Sequence, residues 1–449
     1  MIVKDSPTVT IHKTGGLTTR SNPSPQPSPL LKGRGSHLGS SRCNASSGLL
    51  SNQDAIAPTT RLLVATGVAL CVLAADAGRA QTNSSSWEWT TASPESQGMS
   101  SGKLKAMTGA LAARSTSGLL VIRNDRIVCE WYAPGAGAAI PHGTASLAKA
   151  IVGGVATAVV ITDGRVALDD RAARFIPQWR DDPRKSRITL RQLGSHTSGL
   201  ADAEDQGLPH DKLTGWQGDF WKRLDPPLDP FTIARDAAPA LFEPGERFAY
   251  SNPGIGMLVY AITGALRDTP QHDIRTLLRE RVMRPIGVRE GEWNIGYNQT
   301  FTVDRLPLVA AWGGGNYTAR AAARLGRLML RQGDWEGTRL LSPEAVRAVT
   351  SDAGTPGPCG IGWWSNNDGH CTCLPKDAYW GSGAGHQTLL VVPSLNLIAV
   401  RNGRDLAPLP TPIVPVEYAS PTFKWLFEPL MQAITNGAPT KTIGTGSGT

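Results

Sequence analysis

Along this chain the apolar positions change period several times, and each change marks an element. From 97 to 114 they recur at helical spacing on a polar background opened by Ser100 or Ser101, which predicts an amphipathic helix. Leu119-Leu120-Val121-Ile122, the polar pair Asn124-Asp125 and Ile127-Val128-Cys129-Glu130-Trp131 follow, two β-rich runs around a turn that predict a hairpin. After a Gly/Pro stretch from Pro134 to Gly143, the run from Ser146 to Thr162 is apolar on nearly every face and stops at Asp163-Gly164, the pattern of a buried helix.

From about 165 to 335 the pattern reads as helical, with many Pro/Gly loops and no clear strand alternation. The runs 387–392 and 395–400 flank Pro393-Ser394 and predict a second hairpin, and a last helix covers roughly Thr422–Thr435. Strands near both ends and helices between them predict an α/β (α+β) fold. An antiparallel sheet would be built from about 93–165 and 336–435 and flanked by helices, with an inserted mainly helical region at about 166–335.

Composition adds mainly exclusions. The net charge of +8 invites a nucleic-acid reading, but residues 1–80 hold eight Lys or Arg against three acids. The other 369 residues carry 37 basic and 34 acidic side chains, so no polyanion partner is expected. Residues 1–55 are Ser/Pro/Gly-rich and read as a disordered or spurious leader. Within 56–80, Arg61 precedes the apolar run Leu62–Ala75, and Asp76-Ala77-Gly78-Arg79-Ala80 resembles a signal-peptide cleavage site. That run is too short to span a bilayer, and Leu70 before Cys71 does not suit a lipoprotein signal, so no stable membrane anchor is expected. A periplasmic or secreted protein of one domain, about 81–440, is the expectation.

Export without a cofactor fingerprint directs attention to nucleophiles. Gly98-Met99-Ser100-Ser101-Gly102 matches the hydrolase elbow G-x-S-x-G, but polar residues precede it where a strand is needed, so Ser100 reads as a helix cap. S-x-x-K occurs twice, at Ser100/Lys103 and Ser146/Lys149. Only the second opens an apolar helix, where positions three apart share a face and desolvation lowers a lysine's pKa. Free N–H groups at that helix start would also favour developing negative charge.

Cys129, Cys359, Cys371 and Cys373 follow the signal. In an exported protein Cys359 could pair with Cys371 or Cys373. Cys359, His370, Cys371 and Cys373 could alternatively bind zinc, but the C-x-C spacing is tight and only four candidate ligands exist, so no metal or other cofactor is expected. Trp363, Trp364 and Trp380 either pack in the core or wall an apolar pocket.

Leu241-Phe242-Glu243-Pro244-Gly245-Glu246-Arg247-Phe248-Ala249-Tyr250-Ser251-Asn252 makes the pattern specific. It resembles the F-x-P-G-x-x-F-x-Y-S-N segment of the β-lactamase-related serine hydrolases, which include class C β-lactamases, D-alanyl-D-alanine peptidases, family VIII carboxylesterases and 6-aminohexanoate-dimer hydrolases. Thr144–Lys149, Gly164–Asp170 and Leu190–Leu200 resemble other stretches of that superfamily in the same order, covering about 93–402. The resemblance implies a β-lactamase/DD-peptidase-like fold. It implies Ser146 as the acylated nucleophile, Lys149 as its base, Tyr250 as proton relay and Asn252 as the residue orienting lysine and substrate. It makes His196 a scaffold residue in a structural turn.

The third motif departs from the family. In place of Lys-Thr-Gly or His-x-Gly stands Ser382-Gly383-Ala384-Gly385-His386-Gln387, similar to the 6-aminohexanoate-dimer hydrolase branch. Ser382, Gly383 and His386 are the expected substrate contacts. The backbone N–H groups of Ser146 and Ala384 are the expected oxyanion hole. No cation occupies the usual position, which favours a small ester or amide over a β-lactam or D-alanyl-D-alanine peptide. A catalytically silent binding domain of the same fold is the alternative from another functional class.

Overall fold

The computed structural model describes residues 87–205, 208–406 and 420–435. The leader and signal expectations for 1–80 lie outside the described residues. The centre is a seven-stranded sheet: β1 (Thr90–Thr91), β2 (Thr116–Arg123), β3 (Arg126–Tyr132), β4 (Trp364–Ser365), β5 (Tyr379–Gly383), β6 (Gln387–Val392) and β7 (Leu397–Gly403). Its order is β1-β3-β2-β7-β6-β5-β4, antiparallel except for β1 beside β3. Both expected hairpins are present, and β2 pairs with β7, so strands from early and late in the described residues meet at the sheet centre. Asn124 and Asp125 take φ of 51° and 60°, the left-handed pair that a two-residue hairpin turn requires.

Alternation along the strands sorts the core into two layers. Leu119, Val121, Leu390, Val392, Leu397 and Ala399 face the helix α1 (Ser101–Ala112) and the C-terminal helical segment 423–432. Leu120, Ile122, Leu389, Val391, Ile398 and Val400 belong to the larger core on the opposite face. That core includes α2 (Val155–Thr162), α3 (Asn252–Ala265) and α4 (Ala319–Leu330). Each such leucine or valine contributes roughly 1.5–3 kcal/mol by leaving water.

The middle of the chain is mainly helical, as expected, but it also carries short strands that its pattern does not display. Trp293–Asn294, Phe301–Val303, Leu306–Leu308 and Asn316–Tyr317 are strands. Two or three residues are too few to display a period of two, which is why the pattern misses them. The buried helix also opens differently. Ala145–Leu147 is a 3₁₀ turn and Lys149–Gly154 is π-helical before regular α2 begins. Among the described residues, the stretch Ala145–Thr162 is the one helix long and apolar enough to cross a membrane; it is mostly buried inside the molecule, as a core helix is.

Candidate active site

Ser146 lies in the 3₁₀ turn, directly after Ala145, whose φ of 45° is rare for a residue with a Cβ. Thr144 anchors this approach: its N–H donates to the Gly315 carbonyl at 2.8 Å, and its Oγ1 accepts from the Gly315 N–H at 3.2 Å. Ser146 is therefore aimed by a loop remote in sequence.

Lys149 is 3% exposed and its Nζ reaches three acceptors: Ser146 Oγ at 3.1 Å, Asn252 Oδ1 at 2.7 Å and the Trp312 carbonyl at 2.8 Å. Burial pushes its pKa down to about 7, while Asp202 and then Glu204 pull the other way. A neutral amine has two N–H donors and one lone pair. The amide and carbonyl oxygens can take only the donors, so the lone pair falls to the Ser146 hydroxyl.

Tyr250 donates its hydroxyl to Ser146 Oγ at 2.8 Å. Burial raises the pKa of this phenol above its ordinary value, so at neutral pH it is a proton donor. His196 supports it from behind. Its ring stacks on Tyr250 with centroids 4.5 Å apart, its Nδ1 accepts the Ser251 N–H at 3.2 Å and its carbonyl accepts the Ala249 N–H at 2.8 Å. Burial, with Lys149 second, pushes His196 down to about 3, leaving a neutral imidazole whose acceptor nitrogen is occupied.

Asp202 was not singled out in the sequence. Its Oδ1 accepts both the Asn252 N–H at 2.8 Å and the Asn252 side-chain Nδ2 at 3.0 Å. That pins the amide with its oxygen toward Lys149. Burial raises the Asp202 pKa. The signal available was its position two residues after the Ser198-Gly199-Leu200 turn, and a fold was needed to use it. The Trp312 carbonyl was equally invisible, since a backbone acceptor leaves no residue-type signature; only the run Gly313-Gly314-Gly315 marks the loop.

β5 closes the opposite wall. A Cβ on Gly383 would lie 2.2 Å from the Thr144 carbonyl and 2.9 Å from the Ser146 nitrogen, so only glycine permits this approach. Gly381 is similarly held against Leu147 and Ala150. After Gly383 the chain turns through Ala384, Gly385 and His386, the last two with φ of 75° and 56°. Arg401, fully buried, clamps that turn. It donates to the Gly385 carbonyl, to the His386 carbonyl at 3.0 Å and to Thr116 Oγ1 at 3.1 Å.

A cavity of about 360 Å³ brings together Ser146, Lys149, Tyr250, Ser382, Gly383 and Ala384. Trp363, Trp364, Trp380 and Phe423 supply apolar wall, with Glu204 and His370 among the polar groups. Asn252 acts through Lys149. His386 is not brought to the cavity: its Nδ1 lies 3.1 Å from Thr422 Oγ1. The left-handed backbone of the turn carries its side chain toward the C-terminal helix.

All four described cysteines are free thiols, and the Cys359 pairings considered above do not appear. Cys359 lines the cavity, whereas the sulfurs of Cys371 and Cys373 face each other. His370 Nδ1 lies 2.7 Å from Asp368 Oδ1. Among the described residues no group of three or more His, Cys, Asp or Glu converges as a metal site.

The family model described as Beta-lactamase matches residues 104–405. The chain is 24% identical over 243 residues to a 6-aminohexanoate-dimer hydrolase of Paenarthrobacter ureafaciens, covering 52% of this chain and 57% of the relative. It thus spans less than two thirds of the length of the curated relatives it matches. Among solved structures it is similar to a putative 6-aminohexanoate-dimer hydrolase from Bacillus anthracis, with TM-score 0.54 and 20% identity over 72% of this chain and 83% of that one. A family VIII carboxylesterase gives TM-score 0.52 and 16% identity over 74% of this chain and 99% of that one. Both structural likenesses speak to the fold, and with the family match across most of the sheet and the segments of Ser146, Tyr250 and Ser382, the chain belongs to the beta-lactamase family.

Proposed function

We propose that this protein is a serine hydrolase that cleaves a small ester or amide through an acyl-enzyme on Ser146. The observation that carries the reading is the double hydrogen bonding of Ser146 Oγ, by Lys149 at 3.1 Å and Tyr250 at 2.8 Å. In this scheme neutral Lys149 takes the Ser146 proton as Oγ attacks the substrate carbonyl carbon. The oxyanion is met by the N–H groups of Ser146 and Ala384. Tyr250 passes a proton to the leaving group and is resupplied from Lys149. Water, deprotonated by the same pair, then releases the acid and restores the Ser146 hydroxyl.

An ester or linear amide fits better than a β-lactam or peptide carboxylate. Among the described residues lining the cavity, Lys149 is the single Lys or Arg, and its three contacts commit it to Ser146, Asn252 and Trp312. The names of the relatives, a 6-aminohexanoate-dimer hydrolase and a carboxylesterase, point the same way.

The deciding experiment compares a p-nitrophenyl short-chain ester, a chromogenic cephalosporin and an aminohexanoate dimer. Turnover is expected on the ester or the linear amide and not on the cephalosporin. Ser146→Ala should abolish both turnover and labelling by a fluorophosphonate probe; full turnover in that variant would refute the mechanism. The reading extends to export to the periplasm or medium, for which residues 61–80 are the support. A mature N-terminus near Gln81 is expected, and an intact N-terminus on cytoplasmic protein would remove it.

A further inference from the structure

The turn beside the cavity carries a second reactive feature that the hydrolase chemistry does not use. Cys371 and Cys373 hold their sulfurs 3.0 Å apart. A disulfide bond is about 2.05 Å long, so the two atoms stand about 1 Å from bonding distance. Asn366, fully buried, organises the segment that presents them. Its Oδ1 accepts the Cys371 N–H at 2.9 Å, and its Nδ2 donates to the carbonyls of Cys371, Leu374 and Pro375 at 3.1, 3.0 and 3.1 Å. The Leu374 N–H closes the turn onto the Cys371 carbonyl at 3.0 Å. The sulfurs are thus brought together by a fixed backbone. Their exposure differs as well: Cys371 is buried and Cys373 half-buried.

We propose that Cys371 and Cys373 form a reversible C-x-C disulfide, a redox modification site next to His370 of the cavity lining. Oxidation of the pair needs an external disulfide such as oxidised glutathione. One protein thiolate attacks that disulfide and expels one small thiol. The other then attacks the protein sulfur of the mixed disulfide and expels the second. Two protein S–H groups are oxidised to one S–S bond, and one external disulfide is reduced to two thiols.

Closure of so short a loop removes little chain entropy from the unfolded state, so the bond would not act as a global staple. Its effect would be local. The preceding residue, His370, lines the cavity, and its ring lies 5.6 Å from that of Trp380. The hydrogen bond between the two thiols lowers the Cys371 pKa and raises that of Cys373, so Cys371 is the one that supplies the thiolate.

The test treats the full chain with oxidised glutathione, alkylates the remaining thiols after unfolding, and reads the cysteine peptides by mass. The peptide carrying Cys371 and Cys373 should be about 2 Da lighter than its dithiol form and unalkylated, while Cys359 and Cys129 are alkylated. Dithiothreitol should restore two alkylation sites. Cys373→Ser should prevent the 2 Da loss, and the wild-type melting temperature should barely move on oxidation. Double alkylation at 371 and 373, a persistent glutathione adduct on either, or a bond to Cys359 would each overturn the proposal. These readouts are independent of hydrolase activity, so they stand or fall apart from the proposed reaction.

Discussion

The chain carries S-x-x-K twice, and the two copies have opposite fates. Ser100 caps α1: its Oγ accepts the Lys103 N–H at 3.3 Å, and the Lys103 ammonium reaches outward to the Gln432 carbonyl at 2.8 Å. The serine side chain there meets only the backbone of the lysine. At Ser146 and Lys149 the side chains meet each other, the amine is buried, and two further acceptors consume its remaining donors. Spacing places two groups on one face of a helix; desolvation and third partners decide whether they do chemistry.

That contrast can be broken most severely at the lysines. Lys149→Ala should cost roughly 10²–10⁴-fold in kcat on the best ester, the range of general-base catalysis, while Lys103→Ala should leave kcat within about two-fold. Equal losses would erase the distinction. Tyr250→Phe comes next, with a loss of roughly 10²-fold expected, since Ser100 has no phenol to remove and Ser146 does. A wild-type KM in that variant would place the effect in the chemical step.

The pH profile sharpens the comparison further. A base with its pKa pushed down to about 7 must be unprotonated to work, so kcat/KM should rise as pH increases through about 7. Asp202 pulls the Lys149 pKa up, so Asp202→Asn should shift that rise to lower pH while its amide oxygen can still accept from Asn252. An unmoved midpoint would exclude Asp202 from tuning the lysine. The sign for stability is the same: Lys149 is protonated in the unfolded chain below about 10.4, and staying neutral when folded costs stability as pH falls toward about 7. The smallest effect belongs to the decoy: Ser100→Ala should lower stability by about 1 kcal/mol through the lost cap and leave turnover unchanged. Thermal unfolding and an ester assay read both.

The same contrast explains which features were legible. The hairpins at Asn124-Asp125 and at 387–403 were legible because alternation and turn residues are local signals. Ser146, Lys149 and Tyr250 were legible as residue types in a recurring order. The short strands between 293 and 317 were not, because strands of two or three residues have no period to detect. Nor was the direction of His386, which follows from a left-handed turn clamped by Arg401 rather than from its neighbours in sequence.

By itself, the sequence determined which residue types could react and where the sheet and its covering helices would form, because periodicity and propensity act over a few residues. Only the tertiary structure decided that Lys149 loses its water, that Asp202 fixes the Asn252 amide, that a carbonyl at Trp312 takes the lysine's last donor and that Gly383 comes against Ser146. Each of those depends on groups 50 to 240 residues apart sharing a low-dielectric space, where burial and hydrogen-bond geometry set proton affinity. Ser146 and Lys149 could be picked out along the chain, and their shared environment required the fold.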